Sequence, residues 1–267
     1  MVYYKNYGMV KENNMYKMKG VILAGGSGSR LGIISRVNNK HTNLVYKYPM
    51  IVYPLMNMKE CGIEDIQIVT NVSNGLQLLL KDGSEFGVNI TYRIQAKPAG
   101  IADALRCAEH FTNGKKFMCM LGDNFYRPMP VPIIKKWKDS GKGSGVFIKR
   151  TDTPEKYGIW SPQTNSIVEK PQTFISEMFV MGLYLYDSKV WGYIKEIHPS
   201  KRNEYEITDI NNIYLDDNDM DIYIYPGDFL DCGDCDSLLE TSIYVKDHCN
   251  EYDHMIERYI NENCIRT

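Results

Sequence analysis

The feature that most constrains the fold is a regular alternation of short apolar runs with longer segments whose apolar residues recur at helical spacing. In the first half of the chain the predicted strands lie at 21–24, 66–70, 88–95 and 116–121, and the predicted helices at 50–61, 74–80 and 100–111. Strands that alternate with helices form βαβ units. We therefore expect an α/β fold with a mostly parallel sheet and helices on both of its faces.

The second half of the chain is richer in strands and gives no signal of a second domain. Its predicted strands lie at 144–150, 158–161, 166–169, 179–186 and 220–225, and its predicted helices at 188–197, 206–216 and 235–262. There is no internal repeat or long linker, so we expect a single domain over residues 18–267. Residues 1–17 lack the apolar core of a secretory signal, and we expect a flexible extension with Met18 as an alternative start.

Charge and cysteine content exclude several classes of protein. A net charge of -2 offers no basic surface for nucleic acid, and no apolar run approaches the roughly 20 residues that span a bilayer. Seven cysteines without a secretory signal favour reduced thiols and a cytoplasmic location. Cys232 and Cys235 have the spacing of half a zinc site, but Cys249 and Cys264 lie too far apart to complete it. We expect free thiols.

The segment "KGVILAGGSGSRLG" at 19–32 places a glycine-rich turn directly after the first predicted strand. Such a turn suits a phosphate, because backbone without Cβ atoms can approach it closely and the amides attract anions. Leu31 occupies the position where a dinucleotide-binding loop needs glycine or alanine, and no Gly-Lys-Ser/Thr sequence of a P-loop is present. The segment differs from both in carrying its own cation, Arg30, and Lys40 follows ten residues later.

Two aspartates follow apolar segments more than 100 residues apart, Asp123 in "MLGDN" and Asp231 in "FLDCGD". The carboxyl ends of parallel strands are where such sheets bind ligands. Two carboxylates at this edge, with a phosphate-binding turn, are what Mg²⁺ bound to a nucleotide would use. The five histidines form no triad or metal cluster, and we expect His41 at the surface.

An ordered series of segments along the chain resembles the sugar-nucleotide pyrophosphorylases, a family of nucleotidyltransferases. The quoted series runs "KGVILAGGSGSRLG", "NKH", "YPMI", "YRIQAKPAGIADAL", "MLGDN", "PEKYGIW", "VEKP", "GLYLYD" and "NEYEITDINNIYL". "LGDN" and "EITDIN" favour the short-form glucose-1-phosphate thymidylyltransferase branch over the UDP-N-acetylglucosamine branch. The resemblance implies a Rossmann-like three-layer sandwich, Mg²⁺ as cofactor and a homodimer or homotetramer.

The resemblance also divides the domain into a nucleotide-binding part at about 18–130, an inserted sugar-phosphate-binding part at about 131–235, and a C-terminal helix at about 235–262. It implies a nucleotide site formed by Leu23, Gly25, Gly26, Gly28, Ser29, Arg30, Gln95 and Gly100, with Gln95 and Gly100 on the pyrimidine base. It implies a sugar-phosphate site formed by Tyr157, Gly158, Glu169, Val180, Gly182, Tyr184 and Arg202. Asp123 and Asp231 would ligate the metal, and Lys40 and Lys170 would neutralise the phosphates at the reacting centre.

The implied reaction joins dTTP and glucose 1-phosphate, and alternatives remain open. The same chemistry with UTP, and glucose 1-phosphate or N-acetylglucosamine 1-phosphate, is the first alternative, because Asp103 and Met181 stand where the family usually has glutamine and threonine. A catalytically silent nucleotide-sugar sensor is disfavoured, because Arg30, Lys40 and both aspartates are present. A nicotinamide dehydrogenase fails on Leu31 and on the missing ribose-binding acid.

Overall fold

The computed structural model describes residues 18–71, 75–248, 253, 254, 256 and 257. The extension predicted at 1–17 lies outside the described residues. The helix predicted at 235–262 is observed from Cys235 to Asp247, and most of its remaining residues also lie outside the description.

The described residues form short strands and helices in the following order along the chain. The strands are β1 Lys19–Ala24, β2 Leu44–Val45, β3 Tyr48–Pro49, β4 Asp65–Thr70, β5 Asn89–Ile94, β6 Phe117–Leu121, β7 Asn124–Arg127, β8 Ser144–Arg150, β9 Gly158–Ser161, β10 Ser166–Glu169, β11 Met178–Tyr186, β12 Met220–Ile224 and β13 Asp228–Asp231. The helices are α1 Val52–Glu60, α2 Gly75–Leu80, α3 Ile101–Arg106, α4 Glu109–Thr112, α5 Val131–Asp139, α6 Val190–Glu196, α7 Ile207–Asp216 and α8 Cys235–Asp247. None of these helices is long and apolar enough to cross a membrane.

The main sheet has a parallel half and a mixed half. Strands β5, β4, β1 and β6 are neighbours in that order and all run parallel. Strand β11 then pairs antiparallel with β6, and β8 and β12 extend the sheet beyond it. The β9–β10 hairpin attaches to the first part of β11. Because β11 runs against β6, its beginning lies at the edge where the parallel strands end.

Helices cover both faces of the sheet. Successive side chains of a strand point to opposite sides, so a single strand can contribute to two cores. Ile22 and Ala24 of β1 belong to one hydrophobic core, which includes residues of α1, α2 and α5. Val21 and Leu23 of the same strand belong to a second core, which includes residues of α3, α6 and α7. The three-layer α/β architecture expected from the sequence is confirmed.

The predicted elements match the observed ones within a few residues at their ends, with two kinds of difference. The single helix predicted at 100–111 is divided into α3 and α4, since the chain leaves helical geometry at Ala108 (φ -98°, ψ 0°). Strands β2, β3, β7 and β13 and helix α5 were not predicted. The β7–β13 pair forms a separate two-stranded sheet at the edge where β1 and β6 end.

Candidate active site

The glycine turn is shaped by two side chains that approach its backbone. A Cβ atom on Gly25 would lie 2.7 Å from Oε1 of Gln95, and one on Gly28 would lie 2.8 Å from Cβ of Lys40. Gly28 also has a φ of 64°, in the left-handed region that glycine adopts without strain. The spacing of these glycines therefore reflects the close packing of Gln95 and Lys40 as well as access for a ligand.

Lys40 is positioned by its buried neighbour Asn39. The Asn39 side-chain amide donates from Nδ2 to the carbonyl oxygen of Ala24 at 2.9 Å and to Oγ1 of Thr70 at 3.0 Å. Its Oδ1 accepts from the backbone N–H of His41 at 2.9 Å. One side chain thus ties the ends of β1 and β4 to the turn that carries Lys40, whose ammonium forms an ion pair with Asp123.

His41 is buried, so the expectation of a surface histidine was wrong. Its Nδ1 lies 2.7 Å from Oδ1 of Asn39, and a Cβ on Gly122 would lie 2.8 Å from its Cδ2. Burial, followed by the charge of Lys40, lowers the pKa of His41 to about 3, so the ring is neutral. Nothing in the local sequence distinguishes this packing from a solvated turn.

Asp123 and Asp231 lie close together because β7 and β13 pair. Asn124, the first residue of β7, is the register partner of Asp231, and the backbone N–H of Cys232 donates to the carbonyl oxygen of Asp123 at 2.9 Å. The buried Asn124 amide donates to Asp123 Oδ1 at 3.4 Å and to Asp231 Oδ1 at 3.3 Å. The arrangement joins two carboxylates that are more than 100 residues apart in sequence.

The electrostatics of this pair fit a cation between the two carboxylates. Burial, followed by the charge of Asp123, raises the pKa of Asp231 to about 7. At Asp123 burial acts in the same direction, but the ammonium of Lys40 holds its pKa below the ordinary value. No group of three or more His, Cys, Asp or Glu side chains that could hold a metal occurs in the described part of the chain. Two carboxylates are hard oxygen ligands of the kind that Mg²⁺ prefers.

A cavity of about 770 Å³ opens beside the two carboxylates. The predicted site residues that line it are Arg30, Asp123, Tyr157, Gly158, Glu169, Lys170, Val180, Gly182, Tyr184, Arg202 and Asp231. Residues from both halves of the chain therefore share one space.

The other predicted site residues do not line this cavity: Leu23, Gly25, Gly26, Gly28, Ser29, Lys40, Gln95 and Gly100. Apart from Lys40, they lie at or shortly beyond the ends of β1 and β5. Lys40 lies in a later turn, and its ion pair with Asp123 connects it to the cavity. Gln95 continues the β5 ladder by donating from its backbone N–H to Thr70 at 2.8 Å.

At the far end of the cavity Arg202 is held by carboxylates. Its Nη2 lies 3.3 Å from Glu169, 3.1 Å from Glu204 and 2.7 Å from the buried Glu206. Thr208 donates to Glu169 at 2.6 Å, and burial raises the pKa of Glu169 above its ordinary value. Any phosphate that Arg202 binds must share the guanidinium with these acids.

A backbone contact joins the two ends of the site. The backbone N–H of Tyr205 donates to the carbonyl oxygen of Ala99 at 2.8 Å. The backbone N–H of Ala102 in turn donates to the carbonyl oxygen of Tyr205 at 3.2 Å. Gly100 lies between them with a φ of 103°, and a Cβ there would lie 2.4 Å from the Tyr205 oxygen. Only glycine allows this approach.

The family model for nucleotidyl transferases matches residues 19–248, which cover the glycine turn, both aspartates and the cavity. The chain belongs to the nucleotidyltransferase family. The resemblance noted in the sequence is thereby confirmed, and this nucleotidyltransferase is an enzyme of that class.

Named relatives agree with this assignment. The nucleotidyltransferase is 39% identical over 238 residues to a glucose-1-phosphate thymidylyltransferase of Neisseria meningitidis serogroup A, covering 86% of this chain and 83% of the relative. It is 37% identical over 238 residues to one of Mycobacterium tuberculosis, covering 86% and 82%. A solved Bacillus anthracis structure described as a glucose-1-phosphate thymidylyltransferase, in complex with sucrose, aligns with a TM-score of 0.82 and 41% identity, covering 86% of this chain and 96% of that one.

A more distant structure shares the fold alone. A UDP-glucose pyrophosphorylase complexed with UDP-glucose aligns with a TM-score of 0.77 at 22% identity, covering 86% of this nucleotidyltransferase and 99% of that chain.

Sequence reasoning did not assign four buried residues to the candidate site: Asn39, His41, Asn124 and Thr208. Asn39 and Asn124 each stand directly beside a residue that was predicted, which is a weak signal that could have identified them. Their contacts depend on partners such as Ala24 and Asp231, which are distant in sequence. Cys232 and Cys235 form no disulfide.

Proposed function

We propose that this nucleotidyltransferase makes a nucleotide sugar, dTDP-glucose, from dTTP and glucose 1-phosphate with release of pyrophosphate. The observation that carries the proposal is that one cavity is lined both by the carboxylates of Asp123 and Asp231 and by the cations Arg30, Lys170 and Arg202. Relatives that are 37–39% identical carry the name of this activity. Two phosphorylated substrates need several cations in one site, and the cavity supplies them.

In this proposal the triphosphate lies on the backbone amides of the glycine turn beside Arg30. The base then reaches Gln95 and Gly100 at the end of β5. The sugar occupies the cavity between Tyr157 and Glu169, with its phosphate toward Lys170 and Arg202. This placement directs the sugar phosphate toward the glycine turn and Asp123.

Mg²⁺ fits the donor set of this site. Asp123 and Asp231 would hold it, because their half-buried carboxylates lie together. Desolvation and then the charge of Asp123 disfavour ionisation of Asp231 unless a cation compensates. When bound, the metal neutralises charge on the phosphate oxygens.

The reaction needs no general base. A phosphate monoester has a second pKa of about 6, so the attacking oxygen of the sugar phosphate is already anionic near neutral pH. That oxygen forms a bond to the α-phosphorus of dTTP, the bond from the α-phosphorus to the bridging oxygen breaks, and pyrophosphate leaves with the electron pair. The protein must bring two anions together in line, and Arg30, Lys40 and Lys170 lower the repulsion.

UTP is the second candidate nucleotide, because an amide such as that of Gln95 contacts an edge that uracil and thymine share. Pyrophosphate release with Mg²⁺ should be measured for dTTP, UTP, CTP, ATP and GTP against several sugar 1-phosphates. A maximum with dTTP and glucose 1-phosphate is expected. A maximum at UTP would replace the nucleotide and keep the mechanism, and bound nucleotide without turnover would support the sensor instead.

A further inference from the structure

The side-chain amide of Gln95 is held in one orientation by two acceptors. Its Nε2 donates to Oδ2 of Asp103 at 2.8 Å and to the carbonyl oxygen of Gly100 at 3.3 Å. Asp103 lies in the first turn of α3, its side chain is 14% exposed, and its other carboxylate oxygen pairs with Arg106. An amide nitrogen carries two hydrogens, so both are used.

The reversed amide orientation is disfavoured by this environment. A carboxylate and a carbonyl group only accept hydrogen bonds, so a flipped Gln95 would place Oε1 against two further acceptors. Gly100 cannot move away easily, because its neighbours Ala99 and Ala102 are bonded to Tyr205. The amide therefore keeps Nε2 toward α3.

Oε1 of Gln95 consequently faces the glycine turn. It lies 2.7 Å from the position that a Cβ on Gly25 would occupy. Gln95 is buried, with an exposed fraction of 6%. In the described part of the chain no donor bonds to Oε1, so the site presents one fixed hydrogen-bond acceptor to a ligand.

We propose that Asp103 determines which base the enzyme accepts, by fixing Gln95 as a hydrogen-bond acceptor. This inference rests on the proposed function, in which Gln95 meets the base. Thymine and uracil carry an N–H at ring position 3 and can donate to Oε1. Cytosine has an unprotonated acceptor at that position, so it would face Oε1 with no hydrogen between them. The site selects keto pyrimidines and rejects cytosine.

The test compares UTP with CTP, because both lack the methyl group of thymine and differ at the edge in question. The kcat/KM and the dissociation constant for each nucleotide should be measured in the native enzyme and in Asp103→Asn. The asparagine side chain of this variant can accept from Nε2 or donate to Oε1, so it no longer enforces one orientation. We expect the UTP-to-CTP ratio to fall at least about tenfold, a change that corresponds to about 1.4 kcal/mol.

Arg106→Met is the matched control. It removes the ion pair on the same carboxylate and leaves the contact of Asp103 with Gln95, so the UTP-to-CTP ratio should stay near that of the native enzyme. Removing a negative charge near a triphosphate would strengthen the binding of both nucleotides alike, and the ratio cancels that effect. A merely electrostatic or structural role of Asp103 therefore does not move the readout.

An unchanged ratio in folded Asp103→Asn, an equal change in Arg106→Met, or native preference for CTP would overturn the inference. Failure of the proposed function looks different. If native enzyme binds UTP and dTTP over CTP and this preference falls in Asp103→Asn, but no pyrophosphate is released with any sugar phosphate, the base selection stands and the proposed reaction is wrong.

Discussion

Asp123 is the residue at which the charges of the site converge. It forms an ion pair with Lys40 and shares the Asn124 amide with Asp231. Replacing it with asparagine retains the size of the side chain and removes one negative charge from the proposed metal site.

We expect Asp123→Asn to lower kcat by orders of magnitude while the protein remains folded, because a charged metal ligand is lost. Pyrophosphate release and circular dichroism would be compared with Asp139→Asn, an exposed aspartate of α5. Near-native turnover in Asp123→Asn would refute the metal role.

A substitution at Lys170 should affect the two substrates to different extents. It lines the cavity, and its backbone N–H donates to Tyr157 at 2.9 Å, which directs this residue toward the proposed sugar site. Lys170→Ala should raise the KM for sugar 1-phosphate more than the KM for dTTP. The exposed Lys201→Ala provides the control, and equal increases in both constants for Lys170→Ala would contradict the assignment.

Asn39 should affect stability and turnover together. Asn39→Ala removes the bonds to Ala24 and Thr70 and leaves buried polar groups unpaired, which costs about 1–3 kcal/mol. It also frees the turn that positions Lys40, so we expect kcat to fall at least tenfold. Thermal unfolding and kcat would be compared with the exposed Asn38→Ala. If the two variants behave alike, Asn39 does not position Lys40.

At the scale of elements, periodicity predicted the strands that are buried on both faces. β1 and β6 are continuous apolar runs because helices cover them on each side, and such runs are visible in a sequence. β7 and β13 have four residues each, begin or end in polar residues, and owe their structure to each other across about 100 residues. Their pairing is a tertiary contact and leaves no local pattern.

The same distinction applies to the candidate site. Motifs identified Asp123 and Asp231 separately, since each follows an apolar segment, and the contact between them required the fold. His41 was misplaced because its burial depends on Gly122, a residue of another turn. In the sequence Asp103 is visible only as a departure from the family's usual glutamine, and the structure shows that it bonds to Gln95.

Helix α8 begins with a reciprocal cap that gives a pH-dependent prediction. Asp234 accepts from the Ser237 backbone N–H at 3.0 Å, while the Ser237 hydroxyl accepts from the backbone N–H of Asp234 at 3.1 Å. The bond from the Ser237 amide lowers the pKa of Asp234 below its ordinary value of 3.8. Its contribution is therefore present above pH 3.8 and is lost as the pH falls through the lower, folded-state pKa.

Asp234→Ala should reduce the free energy of unfolding by about 1 kcal/mol at neutral pH, and the difference from native protein should shrink below pH 4. Urea denaturation at several pH values would measure it. Asp236→Ala, which removes an exposed aspartate from the same helical turn, should cost only a few tenths of a kcal/mol. A constant difference down to pH 2 would contradict the capping account.

At the scale of the whole molecule, the contact between Gly100 and Tyr205 joins the proposed base and sugar ends. We expect Gly100→Ala to weaken the binding of both dTTP and sugar 1-phosphate, because a Cβ would meet the Tyr205 oxygen at 2.4 Å and the φ of 103° disfavours alanine. Titration of each substrate separately would test this. Gly141→Ala, at a glycine with open space around it, is the control. Loss of only one substrate would show that the ends are independent.

The β7–β13 pairing also bears on synthesis of the protein. During translation the glycine turn, Lys40 and Asp123 leave the ribosome early, but the carboxylate of Asp231 follows only after about 100 further residues. A nascent chain can therefore bury much of its parallel sheet before the two carboxylates meet. The proposed metal site is completed only once β13 has been made, and prematurely terminated chains that lack this strand cannot form it.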